Sequence, residues 1–372
     1  MKWSLKVGEL AGTVVYVHVT FFILLAWIAV TSGVEKGSIA AGVQAAGFMA
    51  TLFGCVVLHE FGHALMARRF GIRTRDIVLL PIGGVGRLER IPDVPRQELL
   101  VALAGPAVSV GIAAGLFVML RLHGSMPRFE DFGAADASFA ERLMFINGGL
   151  AIFNLLPAFP MDGGRVLRSV LAMRLDYVRA TELAARVGQA VAVLFAAVGV
   201  LTNPLLVLIA LFVWMGAAAE VGALRVKRAL SGATVETAMR TEFGELAPGD
   251  SLQRAAEIAI HHAQSDFPVV LDGRVVGMLT RRDLARYLSE NGGGRRVGDV
   301  MHRTFETVEG SEPLDAVLGR LEQAPGTVLL VMDRERLIGL LGLEEITNLL
   351  RIRRTEGRRH DVGGGKLRTT VT

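Results

Sequence analysis

The chain has 372 residues, 51% of them hydrophobic, with a formal charge of +4 and a mean hydropathy of +0.44. That is too apolar for an ordinary soluble protein, and apolar runs of about 20 residues argue for membrane helices. The positive charges flank those runs, which favours membrane lipid over nucleic acid as the partner, and the single cysteine, Cys55, excludes an intramolecular disulfide.

Lys2 and Lys6 precede an apolar run from Val14 to Thr31. It predicts a first membrane helix, retained because no small-residue cleavage site follows. His18 inside it either lines a polar cavity or makes a structural hydrogen bond. A second run, Ile39 to Ala67, ends in Leu58-His59-Glu60-Phe61-Gly62-His63, and Arg68 and Arg69 follow. On a helix, His59 and His63 lie one turn apart and share a face. Two neutral imidazoles in that geometry can hold one zinc ion. Glu60 sits beside the first ligand, where it can take a proton from water as general base. The alternative is a soluble amphipathic helix with these groups on its wet face. The apolar stretch before His59 weighs against it, since buried polar groups there are costly unless paired. Cys55, one turn earlier, reads as a small core residue.

Gly71 to Ile91 is broken by Pro81, Gly83, Gly84 and Gly86, which predicts short strands and turns. The third run is Leu99 to Leu120, with Gly105-Pro106 able to bend it and Ser109 as a polar point. An acidic-leaning loop with Glu130, Asp131 and Asp136 follows. The fourth run, Leu143 to Leu156, carries Asn147 and Asn154, breaks at Pro157 and Pro160, and meets Asp162-Gly163-Gly164. Val187 to Leu201 is the fifth. Asn203-Pro204 turns into the sixth, Leu205 to Val221, closed by Arg225, Lys227 and Arg228. The Lys and Arg bias of the loops fits six helices with both termini in the cytosol. The histidines then lie toward the cytosolic end of the second helix.

A catalytic zinc needs three protein ligands and an open position. Asp162 is the candidate for the third, since a metal removes the cost of a carboxylate at membrane depth. Its alternative is a helix N-cap. The Asn154 amide can donate to a developing oxyanion, or else hold two helices together.

From Ser231 the composition is that of a soluble α/β domain with an internal repeat. Val235-x-x-x-Met239 recurs as Val297-x-x-x-Met301. Leu252 matches Leu314, Val276-Gly277 matches Ile338-Gly339, and Asp283 matches Glu345, all at one offset. Each unit is small, so the two are expected to pack together, joined by Asn291-Gly-Gly-Gly. The expected division is a membrane domain over 1–228, repeats over 231–290 and 295–353, and a basic disordered tail over 354–372. The expected fold class is a polytopic α-helical membrane protein with six transmembrane helices and a C-terminal α/β tandem pair.

His59-Glu60-Phe61-Gly62-His63 together with Asn154-Leu155-Leu156-Pro157-Ala158-Phe159-Pro160-Met161-Asp162-Gly163-Gly164 resembles the site-2 protease family of intramembrane metalloproteases over roughly Trp3 to Arg228. The resemblance implies one zinc held by His59, His63 and Asp162, with Glu60 as base and Asn154 assisting the substrate carbonyl. It implies that Pro81 to Arg87 lies at membrane depth beside the substrate path. It implies regulated intramembrane proteolysis of a membrane-embedded protein, such as an anti-sigma factor or a membrane-tethered regulator, in a bacterial cell membrane. Ser109 stands where the family often has Asn, which bears on a substrate-positioning contact and leaves the metal set intact. The repeat resembles a pair of cystathionine-β-synthase (CBS) domains, which often bind ATP or another adenine nucleotide and can support a homodimer. Gly277, Thr280 and Asp283 match the ribose-and-phosphate element, and the second copy has Gly339, Gly342 and Glu345 there. The competing readings are a nucleotide-regulated transporter or channel, which leaves His59, Glu60 and His63 without a role, and a catalytically dead scaffold.

Overall fold

The computed structural model describes residues 3–363, apart from 11, 82, 90, 91, 93, 128–137, 263, 265, 291–293, 324 and 325. The acidic loop at Glu130, Asp131 and Asp136, the linker from Asn291 and the tail beyond residue 363 lie outside the described residues. The chain divides into two units, Met1–Gly222 and Ala223–Thr372.

The first unit begins with strands β1 (Ser4–Leu10) and β2 (Thr13–His18) and helices α1 (Val19–Glu35) and α2 (Ile39–Arg69). Strands β3 (Thr74–Leu80) and β4 (Gly83–Leu88) follow, then α3 (Pro95–Leu122), α4 (Phe139–Asn154), α5 (Asp162–Ala172), α6 (Tyr177–Leu201) and α7 (Pro204–Leu230). The strands form one sheet in the order β1-β2-β3-β4, with β2 and β3 parallel and both outer pairs antiparallel. Strand β4 is an edge, and α2 packs against it.

The first apolar run is therefore only partly helical. Val14 to Val17 are β-branched or aromatic, and they pair on both sides within the sheet. His18 is the N-cap of α1, accepting from the Thr20 backbone N–H at 3.3 Å. It caps the helix and does not line either cavity described below. Among the described residues four helices are long and apolar enough to cross a membrane: α2, α3, α6 and α7. The other two of the six expected, α1 and α4, have 17 and 16 residues, short of the roughly 20 that span a bilayer core at full thickness. Helix α6 starts well before Val187, because Asp176 caps it, accepting from the N–H groups of Val178 and Arg179 at 3.1 Å.

Close helix approach sets up the site. A Cβ on Gly62 would lie 2.6 Å from the Ala104 carbonyl oxygen, so α2 and α3 meet backbone to backbone between the two histidines. The segment before α5 is clamped likewise, with the Gly163 position 2.1 Å from the Leu156 carbonyl oxygen.

The second unit contains α8 (Val235–Ala238), α9 (Leu252–His262), β5 (Phe267–Leu271), β6 (Arg274–Leu279) and α10 (Arg281–Ser289). Their repeats are α11 (Val297–Val300), β7 (Thr307–Glu309), α12 (Leu314–Gln323), β8 (Leu329–Asp333), β9 (Arg336–Leu341) and α13 (Leu343–Gly363). Helix α13 runs past residue 353, where the tail was expected to begin. The two copies exchange their leading segments. Ala233 and Val235 are buried with Leu314, Leu329 and Leu341, while Val297 and Val300 are buried with Leu252, Phe267 and Leu279. The same exchange shows in the backbone. Met278 and His302 trade N–H···O=C bonds at 2.8 Å, and Leu340 and Arg240 do so at 2.8 and 3.0 Å. Neither copy completes a core from its own residues.

Candidate functional site

Helix α2 presents His59 and His63 on one face, and the start of α5 brings Asp162 to them. His59 Nε2 lies 3.2 Å from Asp162 Oδ2, His63 Nε2 lies 3.1 Å from the same oxygen, and the two Nε2 atoms are 3.2 Å apart. All three side chains are buried. Helix α3 orients the rings from behind. The Val101 carbonyl can only accept, so His63 Nδ1, at 2.7 Å, carries the proton and Nε2 presents a lone pair. Ser109 Oγ sits 2.9 Å from His59 Nδ1, where its hydroxyl can donate or accept. His59 Nε2, the His63 Nε2 lone pair and an Asp162 carboxylate oxygen thus converge within 3.2 Å of one another.

A cation at the centre of that group would be within reach of all three atoms. For metal bonds of about 2.0–2.1 Å, tetrahedral ligands stand roughly 3.3 Å apart, close to the spacing found. The donor set, two imidazoles and one carboxylate, suits zinc with a fourth position open. Asp162 is the first residue of α5, whose N-cap is Met161, and it makes no capping bond. The N-cap alternative therefore falls.

The Glu60 side chain meets strand β4. Its Oε2 accepts from the Gly86 backbone N–H at 3.1 Å. Edge strand β4 turns Gly84 and Gly86 toward it, and a Cβ at either would come within 2.9 or 2.8 Å of the Glu60 side chain. Asn154 ends α4, half-buried, and its amide has no hydrogen-bond partner among the described residues. The interhelical bond that was its alternative is not made. A cavity of about 550 Å³ is lined by His59, Glu60, His63, Asn154 and Asp162 together with Pro81, Gly83 to Gly86 and Arg165. It brings together all the site residues expected in the first unit.

Residues 47–141 and 134–195 match the profile of Peptidase family M50. A zinc metalloprotease of Methanocaldococcus jannaschii is 32% identical over 280 residues, covering 75% of this chain and 78% of that protein. The chain belongs to peptidase family M50. Rip3 of Mycobacterium tuberculosis is 30% identical over 95% of this chain and 94% of its own length. A solved site-2 protease from Methanocaldococcus jannaschii is 34% identical, the match covering 59% of this chain and 95% of that one, with a TM-score of 0.44. Residues 235–290 and 297–352 each match the CBS domain profile. The M50 chain is a zinc metalloendopeptidase of the site-2 protease type with a tandem CBS pair. The transporter and dead-scaffold readings fall with that finding.

In the CBS pair a second cavity, of about 920 Å³, is lined by Thr280, Asp283, His302, Arg240, Glu345 and several arginines including Arg281, Arg282 and Arg286. Gly277 lies in β6 with its Cα against Met301, where a Cβ would meet Sδ at 2.6 Å, so it shapes the fold behind the cavity. Asp283 Oδ2 accepts from Thr280 Oγ1 at 2.5 Å and from His302 Nε2 at 2.7 Å. Burial raises its carboxyl, but those two bonds outweigh it and hold the group below the usual carboxylate range. In the second copy Arg240 NH2 takes Glu345 Oε1 at 2.8 Å. His302 and Arg240 each follow the repeated methionine, so each carboxylate is held by a side chain from the opposite copy.

Sequence reasoning missed Val101, Gly105 and the contact of Ser109 with His59. Ser109 was expected to bear on a substrate-positioning contact, and it touches His59, one of the expected zinc ligands. Gly105 has no room for a side chain, since a Cβ would lie 2.1 Å from His63 Nε2 and 2.6 Å from His59 Nε2. Its signal was the Gly-Pro pair itself, read only as a bend. Ser109→Ala should weaken zinc binding about tenfold, the usual effect of losing a ligand's hydrogen-bond partner. Chelator competition on purified protein measures this, and unchanged affinity would remove Ser109 from the site.

Proposed function

We propose that His59, His63 and Asp162 hold the zinc of this M50 protease, and that it cleaves transmembrane segments of membrane proteins. The observation that carries the reading is the convergence of two imidazole nitrogens and a carboxylate oxygen within 3.2 Å of one another. When bound there, zinc supplies a Lewis acid that polarises a carbonyl and acidifies water. Glu60 accepts the proton of the attacking water and delivers it to the leaving amine. The Gly86 N–H holds Glu60 for that transfer, and the unpartnered Asn154 amide donates to the developing oxyanion. A helical peptide bond is shielded and its carbonyl engaged, so the substrate segment unwinds before cleavage. Glu60→Gln should keep zinc and fold while lowering cleavage at least roughly 100-fold. A membrane protein cut at the wild-type rate by this variant would sink the base assignment.

The same reading has the chain cross a bacterial cell membrane six times, with α1 and α4 as short crossings and both termini cytoplasmic, from the Lys and Arg bias. Arg225→Cys is exposed on α7 and should react with impermeant thiol reagent only after the cytoplasmic side is opened. Labelling of intact cells would overturn this topology.

The CBS pair is proposed to bind an adenine nucleotide at its first copy, with Asp283 on the ribose and the cleft arginines on phosphate. The ribose has to displace His302. The second copy stays closed because Arg240 keeps its charge at any physiological pH. A nucleotide alters cleavage only through differential affinity for two arrangements of the enzyme. Calorimetry on the full chain with ATP or AMP should give saturable binding that Asp283→Ala weakens, His302→Ala tightens and Glu345→Ala leaves unchanged. No binding at millimolar nucleotide would reduce the pair to a docking or dimerising module.

A further inference from the structure

We propose that Arg168 is a positioning residue for the metal site, fixing Asp162 on α5 against the face of α3 that orients the histidines. The inference rests on the zinc reading above. Arg168 is 2% exposed and Glu98, in the first turn of α3, is 3% exposed. Arg168 Nε donates to Glu98 Oε1 at 2.8 Å, and NH2 donates to the same oxygen. NH1 donates to Glu220 of α7. The guanidinium also stands 5.1 Å from the Phe159 ring and 5.2 Å from the Tyr177 ring. Glu98 Oε2 has no partner among the described residues, so both hydrogen bonds that Glu98 receives come from Arg168.

One side chain therefore ties the start of α3, the segment before α5, the start of α6 and α7 to the body of α5. Two of these ties matter for the metal. Phe159 comes three residues before Asp162, and Arg168 comes six after it, about 9 Å along the helix. The ligand is thus held from both sides. On α3, Glu98 is followed at helical spacing by Val101, Gly105 and Ser109. These are the carbonyl behind His63, the position against both Nε2 atoms, and the hydroxyl behind His59. A shift of α5 along α3 would move the carboxylate away from nitrogens that α3 itself holds. Ligand separations of 3.1 and 3.2 Å tolerate little such slip. A surface-like role would not require a planar, five-donor group in an apolar setting, where an unpaired charge is costly.

Removing Arg168 alone strands the charge of Glu98, which destabilises for reasons unrelated to zinc. The informative variant is the double Arg168→Met/Glu98→Leu, which removes the two fully buried charges at similar volume and leaves Glu220, 28% exposed, to solvent. In full-length protein, zinc affinity by chelator competition and thermal stability of the metal-free form are read in parallel. The proposal expects metal-free stability close to wild type and zinc affinity lower by at least tenfold, the scale of lost support around a metal ligand. Wild-type zinc affinity in the double variant overturns it. A double variant that does not fold assigns the network to stability alone and overturns it equally. Wild-type protein that binds no zinc would instead defeat the metal reading on which the inference rests.

Discussion

Two imidazole nitrogens and a carboxylate oxygen meet within 3.2 Å of one another in one cavity, and this convergence is the constraint on which the site in the first unit depends. In the apolar run of α2 the two buried histidines have only the Val101 carbonyl and the Ser109 hydroxyl of α3 behind them. Asp162 lies in the first turn of α5, where the helix dipole favours its charge, but caps nothing. The proposed zinc would be held by all three and would add to the stability of the arrangement. The surrounding structure keeps the donors aimed at one point, so that binding does not depend on reorganising long side chains.

Most of that aiming comes from α3. Its backbone approaches α2 at Gly62, its Gly105 leaves the imidazole nitrogens uncovered, its Val101 carbonyl fixes the tautomer of His63, and its Ser109 hydroxyl holds the His59 ring. Another side of α2 meets the sheet. There β4 offers a backbone N–H to Glu60 and two glycines that admit its side chain. The histidines and Glu60 thus have separate supports, α3 and β4, around one cavity. A change in one need not disturb the other.

The zinc motif was legible because its geometry is local: four residues on a helix give one turn whatever the fold around them. Asp162 was legible because a carboxylate in a broken apolar run needs a partner. The supports were not. Val101 acts through its carbonyl, which no side-chain pattern reveals, and Ser109 in an apolar helix looks the same whether it faces lipid or a ligand. Glu98 and Arg168 are 70 residues apart, and only packing brings them together. The first helix was placed too early because Val14 to Val17 is apolar in either period, and a short apolar run does not distinguish strand from helix. In the CBS pair the offset between copies was plain. The exchange of Val235 and Val297 between cores was hidden, because identical spacing serves both pairings.

Zinc K-edge X-ray absorption on the purified protein examines the three-donor centre itself. The account predicts stoichiometric zinc with only nitrogen and oxygen neighbours at about 2.0–2.1 Å, and outer-shell scattering from two imidazoles. A sulfur neighbour at about 2.3 Å, a single-imidazole signature, or protein that takes up no zinc would contradict it.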